Sequence, residues 1–188
     1  MSPTVYFVIG PAGSGKSTVA TVLAKQRGAV YLDKDSLATA FTEELLRQAG
    51  SDPHERDSSE FYQGTIMDLE YATLLRVAGD NLRLGLSVVL DAPFVRYFPR
   101  EDYVESAARD YAWPDDAEKV VLHVAAGSGT VRGRVEARSL ERDAWKLGHW
   151  DEFWANAQAS ECRWAGVRHV PFDNSGDGVS AEALNRQL

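Results

Sequence analysis

The chain has 188 residues, 44% hydrophobic and 26% charged, with a net charge of −8 from 20 basic and 28 acidic side chains. That size suits one α/β domain over residues 1–188, and the acidic balance argues against a broad nucleic-acid-binding face. The single cysteine, Cys162, excludes an internal disulfide and a cysteine-rich zinc site. No segment approaches the roughly 20 apolar residues of a membrane span, so the expectation is a cytoplasmic protein with no membrane partner.

Val5-Tyr6-Phe7-Val8-Ile9 reads as a buried strand. It runs into Gly10-Pro11-Ala12-Gly13-Ser14-Gly15-Lys16-Ser17, and a helical pattern follows from Thr18 to Gln26. Strand, glycine-rich loop and helix in that order form the setting of a phosphate-binding loop. Small residues let successive backbone N–H groups turn inward around an anion, and the helix aims its positive end at the same point. Lys16 then reaches the β- and γ-phosphates, the Ser17 hydroxyl suits Mg²⁺, and Thr18 completes the nucleotide-binding run.

A short strand, Ala29–Leu32, ends at Asp33-Lys34-Asp35. In an open parallel sheet, ligands sit beyond the carboxyl ends of strands. Of the two aspartates there, one suits Mg²⁺ held through water and the other a base for an attacking hydroxyl; Asp35 equally suits an N-cap with Ser36 beside it. The helix that follows reaches about Gln48, with Leu37, Phe41, Leu45 and Leu46 on one side. Residues 50–57 form a polar break, and Ser59 to Arg83 reads as one long helix. Ser87-Val88-Val89-Leu90 is a fully buried strand closing on Asp91, either a metal-side carboxylate or a turn residue before Pro93.

Pro99 marks the start of a helix running through Tyr103 to Tyr111, and Val120–Val124 is the fourth strand. The next helix starts near Ser128 and breaks up between Arg138 and His149. Arg134, Arg138 and Arg142 share a helical face. They read either as a solvated face or as an arginine-bearing lid over about residues 132–149, which neutralises charge on a transferring phosphate. Trp150–Trp164 is predicted helical, with Trp150 and Trp154 docking on the core or walling an acceptor pocket and Cys162 a buried thiol. Val167–Phe172 is the last strand. Asp173-Asn174 after it contacts an adenine edge or starts a turn. Ala181–Leu188 closes a five-stranded parallel sheet with helices on both faces.

The phosphate loop, Asp33-Lys34-Asp35, Asp91 and the arginine run together resemble the small P-loop kinase group. That group includes shikimate and gluconate kinases, chloramphenicol phosphotransferase, zeta-toxin kinases and the 5′-kinase domain of polynucleotide kinase. The resemblance implies the P-loop NTPase fold with sheet order 2-3-1-4-5. It implies Asp33 on magnesium through water, Asp35 binding and deprotonating the acceptor, Arg134 stacked on adenine, and Arg138 and Arg142 clamping phosphates. Leu37-Ala38-Thr39 departs from the polynucleotide kinases, which carry an arginine there, and Asp91-Ala92-Pro93-Phe94 departs from the glycine-rich segment of shikimate kinases. Acceptor specificity is expected between Ser36 and Arg83 and in Phe94 to Arg100, with Arg56, Tyr62, Arg96 and Arg100 as contacts. The expected function is ATP- and Mg²⁺-dependent phosphorylation of a small-molecule hydroxyl. The alternatives are a 5′-hydroxyl polynucleotide or nucleoside kinase and a non-catalytic nucleotide-dependent regulator.

Overall fold

In the computed structural model, strands β1 Thr4–Ile9, β2 Val30–Asp33, β3 Val88–Asp91, β4 Glu118–Ala125 and β5 Arg168–Asp173 form one sheet. Its order is β2-β3-β1-β4-β5, and every pairing is parallel. The structure describes residues 2–52, 56, 59–139, 143–176 and 178–188. Among them run helices α1 Lys16–Arg27, α2 Lys34–Gln48, α3 Met67–Arg83, α4 Tyr103–Asp110, α5 Ser128–Arg138, α6 Ala144–Gly148, α7 Trp150–Ala159 and α8 Ala181–Gln187. No helix among the described residues is long and apolar enough to cross a membrane.

The sheet is covered on both sides, which is why β1 is apolar at every position but its first. Val5, Phe7 and Ile9 pack with Leu74, Leu75 and Ala78 of α3 and with Trp113 and Trp164. Tyr6 and Val8 pack with Val19, Ala20 and Leu23 of α1 and Leu184 of α8. Each such side chain contributes about 1.5–3 kcal/mol on burial. From β1 the chain crosses to β2 on one side of the sheet and later reaches β4 on the other. The loop after β1 therefore stands at the crevice where such sheets bind ligands.

Four local expectations are corrected. Phe41 is 75% exposed and Leu45 43%, while Ala38, Thr42 and Leu46 turn inward from α2; the small residues admit close approach to α3. The predicted helix from Ser59 to Arg83 contains a π-helical segment, Tyr62–Ile66, before α3 begins. After Pro99 the helix starts only at Tyr103, behind a 3-10 turn at Val95–Tyr97. The helix predicted to run to Trp164 stops at Ala159. Trp164 stacks on Tyr103 instead and donates from Nε1 to the Tyr97 carbonyl at 2.9 Å. That docking draws the preceding residues out of the helix and leaves Cys162 half-buried in a non-helical stretch.

His123 of β4 and His169 of β5 meet on one face, Nε2 to Nδ1 at 2.7 Å, and His169 Nε2 lies 2.9 Å from the Trp164 carbonyl. The carbonyl can only accept, so His169 donates from Nε2 and accepts at Nδ1 from a neutral His123. Burial, and then the neighbouring His169, hold the His123 pKa below its ordinary value. The unfolded chain therefore binds more protons than the folded one as pH falls below about 6.5. Stability contributed by neutral His123 is complete above that value and lost below it. Thermal melts between pH 7.5 and 5.5 are expected to show a larger fall for the wild type than for His123→Gln; equal slopes would remove this pair from the pH response.

Candidate active site

Residues 10–15 turn without regular structure between β1 and α1. Three glycines there, Gly10, Gly13 and Gly15, have conformations and neighbours that other residues would not tolerate. Gly13 has φ 82°, and a Cβ on it would lie 2.7 Å from Val135 Cγ2 and 2.9 Å from the Val131 carbonyl of α5. Gly15 has φ 88° and caps α1, and a Cβ on it would strike the Asn174 amide. The loop is thus wedged between α5 and the residue after β5.

Two side chains hold the back of the loop. Asn174, buried, donates from Nδ2 to the Ser14 carbonyl at 2.7 Å. Arg134 donates to the same carbonyl at 3.2 Å and to the carbonyls of Asn174 at 2.9 Å and Gly176 at 3.0 Å. Asn174 therefore braces the phosphate loop, while Asp173 starts the expected turn, accepting from the Ser175 N–H at 3.0 Å. The Ser14 hydroxyl is fully buried and has no hydrogen-bond partner among the described residues.

Gly13, Gly15, Lys16, Ser17, Thr18, Arg134 and Arg138 line one cleft of about 280 Å³. Lys16 Nζ rests on the Pro11 carbonyl at 3.0 Å. Burial draws the Lys16 pKa down to about 8; Asp91 and Asp35 oppose this, while Arg138 and Lys146 reinforce it. A desolvated ammonium among further cations is a place that favours an anion. Arg138 is held by a two-pronged contact with Asp143, at 2.6 and 2.8 Å, and Lys146 reaches the same carboxylate at 2.8 Å. Burial pushes the Asp143 carboxyl up, but hydrogen bonds from Arg138 and Lys146 outweigh it and hold it below its ordinary value. Arg142 lies outside the described residues.

On the opposite flank, Asp33 and Asp91 are register partners on β2 and β3. Asp33 is the N-cap of α2, accepting from the Asp35 N–H and the Ser36 hydroxyl at 2.9 Å each. The capping expected of Asp35 is thus performed by Asp33, and Asp35 falls in the first helical turn, where the helix end favours its negative charge. Asp91 is buried and accepts from the Tyr31 hydroxyl at 2.8 Å. Burial, and then this hydrogen bond, push the Tyr31 hydroxyl above its ordinary pKa, so it stays a donor.

The expected acceptor contacts have other partners. Arg56 pairs with Glu43 at 3.4 Å, and Arg96 donates to the Gln63 carbonyl at 2.6 Å. Arg100 sits beside Asp102 at 3.7 Å and over the Tyr103 ring. Tyr62 is buried and donates to Glu70 at 3.0 Å. Trp150 and Trp154 dock on Val131 and Val135 of α5, the packing expected of them.

Residues that sequence reasoning missed include Tyr31, Lys34, Glu70, Asp143 and Lys146. Asp143 and Lys146 stand three apart and could have been paired from spacing alone. Glu70 carries no local signal, because Lys34 and Thr42 lie 36 and 28 residues away in the chain.

A cup of backbone donors, a lysine and a helix N-terminus at the head of a 2-3-1-4-5 sheet define a P-loop nucleotide-binding domain of the small-kinase type. The chain belongs to the AAA_33 family, an AAA domain whose model matches residues 5–159. Over 110 residues it is 34% identical to the cytidylate kinase of Mycobacterium avium (strain 104), covering 51% of this chain and 48% of that protein. The chain spans between 21% and 48% of the length of the curated cytidylate kinases it matches. Two solved structures share its fold. A sugar kinase from Janibacter sp. HTCC2649 superposes with TM-score 0.61 at 16% identity, over 98% of this chain and 91% of the other. A gluconokinase from Sinorhizobium meliloti 1021 gives 0.52 at 16% identity, over 98% and 88%.

The residues present fit ATP with Mg²⁺. The Ser14 hydroxyl, buried without a partner among the described residues, and the Lys16 ammonium, which rests on the Pro11 carbonyl, are groups that phosphate oxygens would satisfy. Among the described residues no three carboxylates, imidazoles or thiols gather to hold a metal by themselves. Mg²⁺ is commonly held by one or two carboxylates together with substrate phosphates; Ser17 lines the cleft, and Asp33 and Asp91 stand side by side at the ends of β2 and β3.

Proposed function

We propose that this chain is an ATP- and Mg²⁺-dependent phosphotransferase that places the γ-phosphoryl group on a hydroxyl of a small molecule. The carrying observation is that Asp33, register partner of Asp91 at the ends of β2 and β3, caps the helix whose first turn bears Asp35, on the same sheet edge as the loop after β1 that carries Lys16. Lys16 and the loop amides hold the β- and γ-phosphates. The Arg134 edge is engaged by carbonyls, and its flat face serves the adenine. Mg²⁺, when bound, screens charge on the phosphate oxygens, with Ser17 as direct ligand and Asp33 and Asp91 acting through water.

Asp35 takes the proton of the acceptor hydroxyl as its oxygen bonds to the γ-phosphorus. The bond from that phosphorus to the β–γ bridging oxygen breaks, and its electrons leave with ADP. Arg138 neutralises charge on the transferring group, released by Asp143 as phosphate replaces the carboxylate. Arg142 and the remainder of the lid, together with Arg56, Tyr62, Arg96 and Arg100 on the acceptor side, belong to the same proposal.

The test is mass spectrometry of a metabolite extract incubated with the protein and MgATP. The expected result is an organic product heavier by one phosphoryl group, its formation abolished without Mg²⁺. A second reading, favoured by the cytidylate kinase likeness, is transfer to the phosphate of a nucleoside monophosphate. CMP added to the same incubation decides it: CDP as the sole product would overturn the hydroxyl acceptor, and no product from any acceptor would overturn the transferase.

A further inference from the structure

Beneath the acceptor side lies a buried charged group that the phosphate cup does not use. Lys34 and Glu70 are 5% and 3% exposed, and Lys34 Nζ lies 2.6 Å from Glu70 Oε2. The same Nζ lies 3.2 Å from Asp35 Oδ1, whose side chain is 46% exposed. Glu70 is fixed from two further directions: Oε1 accepts from the Thr42 hydroxyl at 2.6 Å and Oε2 from the Tyr62 hydroxyl at 3.0 Å. Lys34 also stands over the Tyr71 ring at 5.7 Å, and the Tyr71 hydroxyl accepts from the Phe94 N–H beyond β3. One ammonium thus joins the ends of β2 and β3 to α2, α3 and the π-helical segment.

A buried ion pair is weak evidence of stabilisation, because desolvating two charges offsets most of their attraction. Fixed geometry is what this arrangement provides. A half-exposed carboxylate at the start of a helix has several side-chain rotamers open to it. Contact with a cation that is itself immobilised by a fully hydrogen-bonded glutamate selects one of them. The π-helical turn contributes directly, since it presents Tyr62 to Glu70; such turns occur often at functional sites.

We propose that Lys34 is a positioning residue for the acceptor base Asp35, with Glu70 as its anchor. The inference rests on the reading of Asp35 given above. It is tested with γ-labelled MgATP and a metabolite extract as probes, following label into organic phosphate, alongside nucleotide affinity and thermal melting. The pair Lys34→Met with Glu70→Gln removes both buried charges, so that no unpaired charge is left in the core. It is expected to melt cooperatively and to keep its KM for MgATP, yet to label acceptors about 10²-fold more slowly, the cost of displacing a reacting group by about 1 Å.

Lys34→Arg keeps the charge balance and can still span both carboxylates. It is expected to recover at least about a tenth of the wild-type rate, and its reading stands even if the charge-free pair does not fold. Wild-type labelling by the folded charge-free pair would overturn the positioning role and leave the transferase intact. So would a folded arginine variant with wild-type nucleotide affinity that recovers none of the rate. A wild-type protein that labels no acceptor at all would instead overturn the transferase reading, and this inference with it.

Discussion

Asp35→Asn is expected to slow acceptor phosphorylation by about 10²–10⁴-fold, the range in which a positioned general base contributes. The substitution is nearly isosteric and keeps the residue in the first turn of α2. It leaves Lys34 paired with Glu70, so no charge is stranded in the core. Because the Asp35 side chain is 46% exposed, losing its contact with Lys34 is expected to cost no more than about 1 kcal/mol. MgATP affinity is expected to stay within a few-fold of wild type, since the phosphate loop is untouched. The decisive measurement is the rate of labelled product at saturating nucleotide. A rate within a factor of a few of wild type would remove Asp35 as the base and move the acceptor away from the end of β2.

Lys16→Met is expected to lower phosphoryl transfer by about 10²–10³-fold, comparable with removing one preorganised charge-stabilising donor. Nucleotide affinity is expected to fall as well, because the ammonium meets the phosphates in the ground state. Stability is expected to move the other way. The Lys16 pKa is drawn down to about 8, chiefly by burial, so folding without phosphate desolvates a charge without adequate compensation. Methionine fills much of the same space with no charge, and the melting temperature is expected to hold or rise. A Lys16→Met protein that melts well below wild type would show the lysine to be a structural element, and retained transfer would show that the phosphates lie elsewhere.

The sheet was legible because its signals are local and repeat: β1 is apolar at every position facing either helical layer, and the loop after it needs small residues within a few positions. The phosphate side of the site was legible for the same reason. The buried cluster around Glu70 was not, because Glu70 gathers Lys34, Thr42 and Tyr62 from other elements. No spacing rule connects positions 36 and 28 residues apart. Asn174 was singled out, but its hold on the Ser14 carbonyl was not foreseen: a polar residue after the last strand looks the same whether it faces a ligand or props up a loop. Trp164 misled for a physical reason. Its separation from Trp150 and Trp154 fits a helix, and only the Tyr97 carbonyl and the Tyr103 ring, remote in sequence, pull it away.

The contacts of Asn174 and Arg134 with the Ser14 carbonyl bear on how tightly nucleotide can be held. A peptide oxygen anchored on one side obliges the next N–H to face the other, so the cup is already shaped before any guest arrives. Little entropy is then lost when phosphates enter, and more of the contact energy appears as affinity.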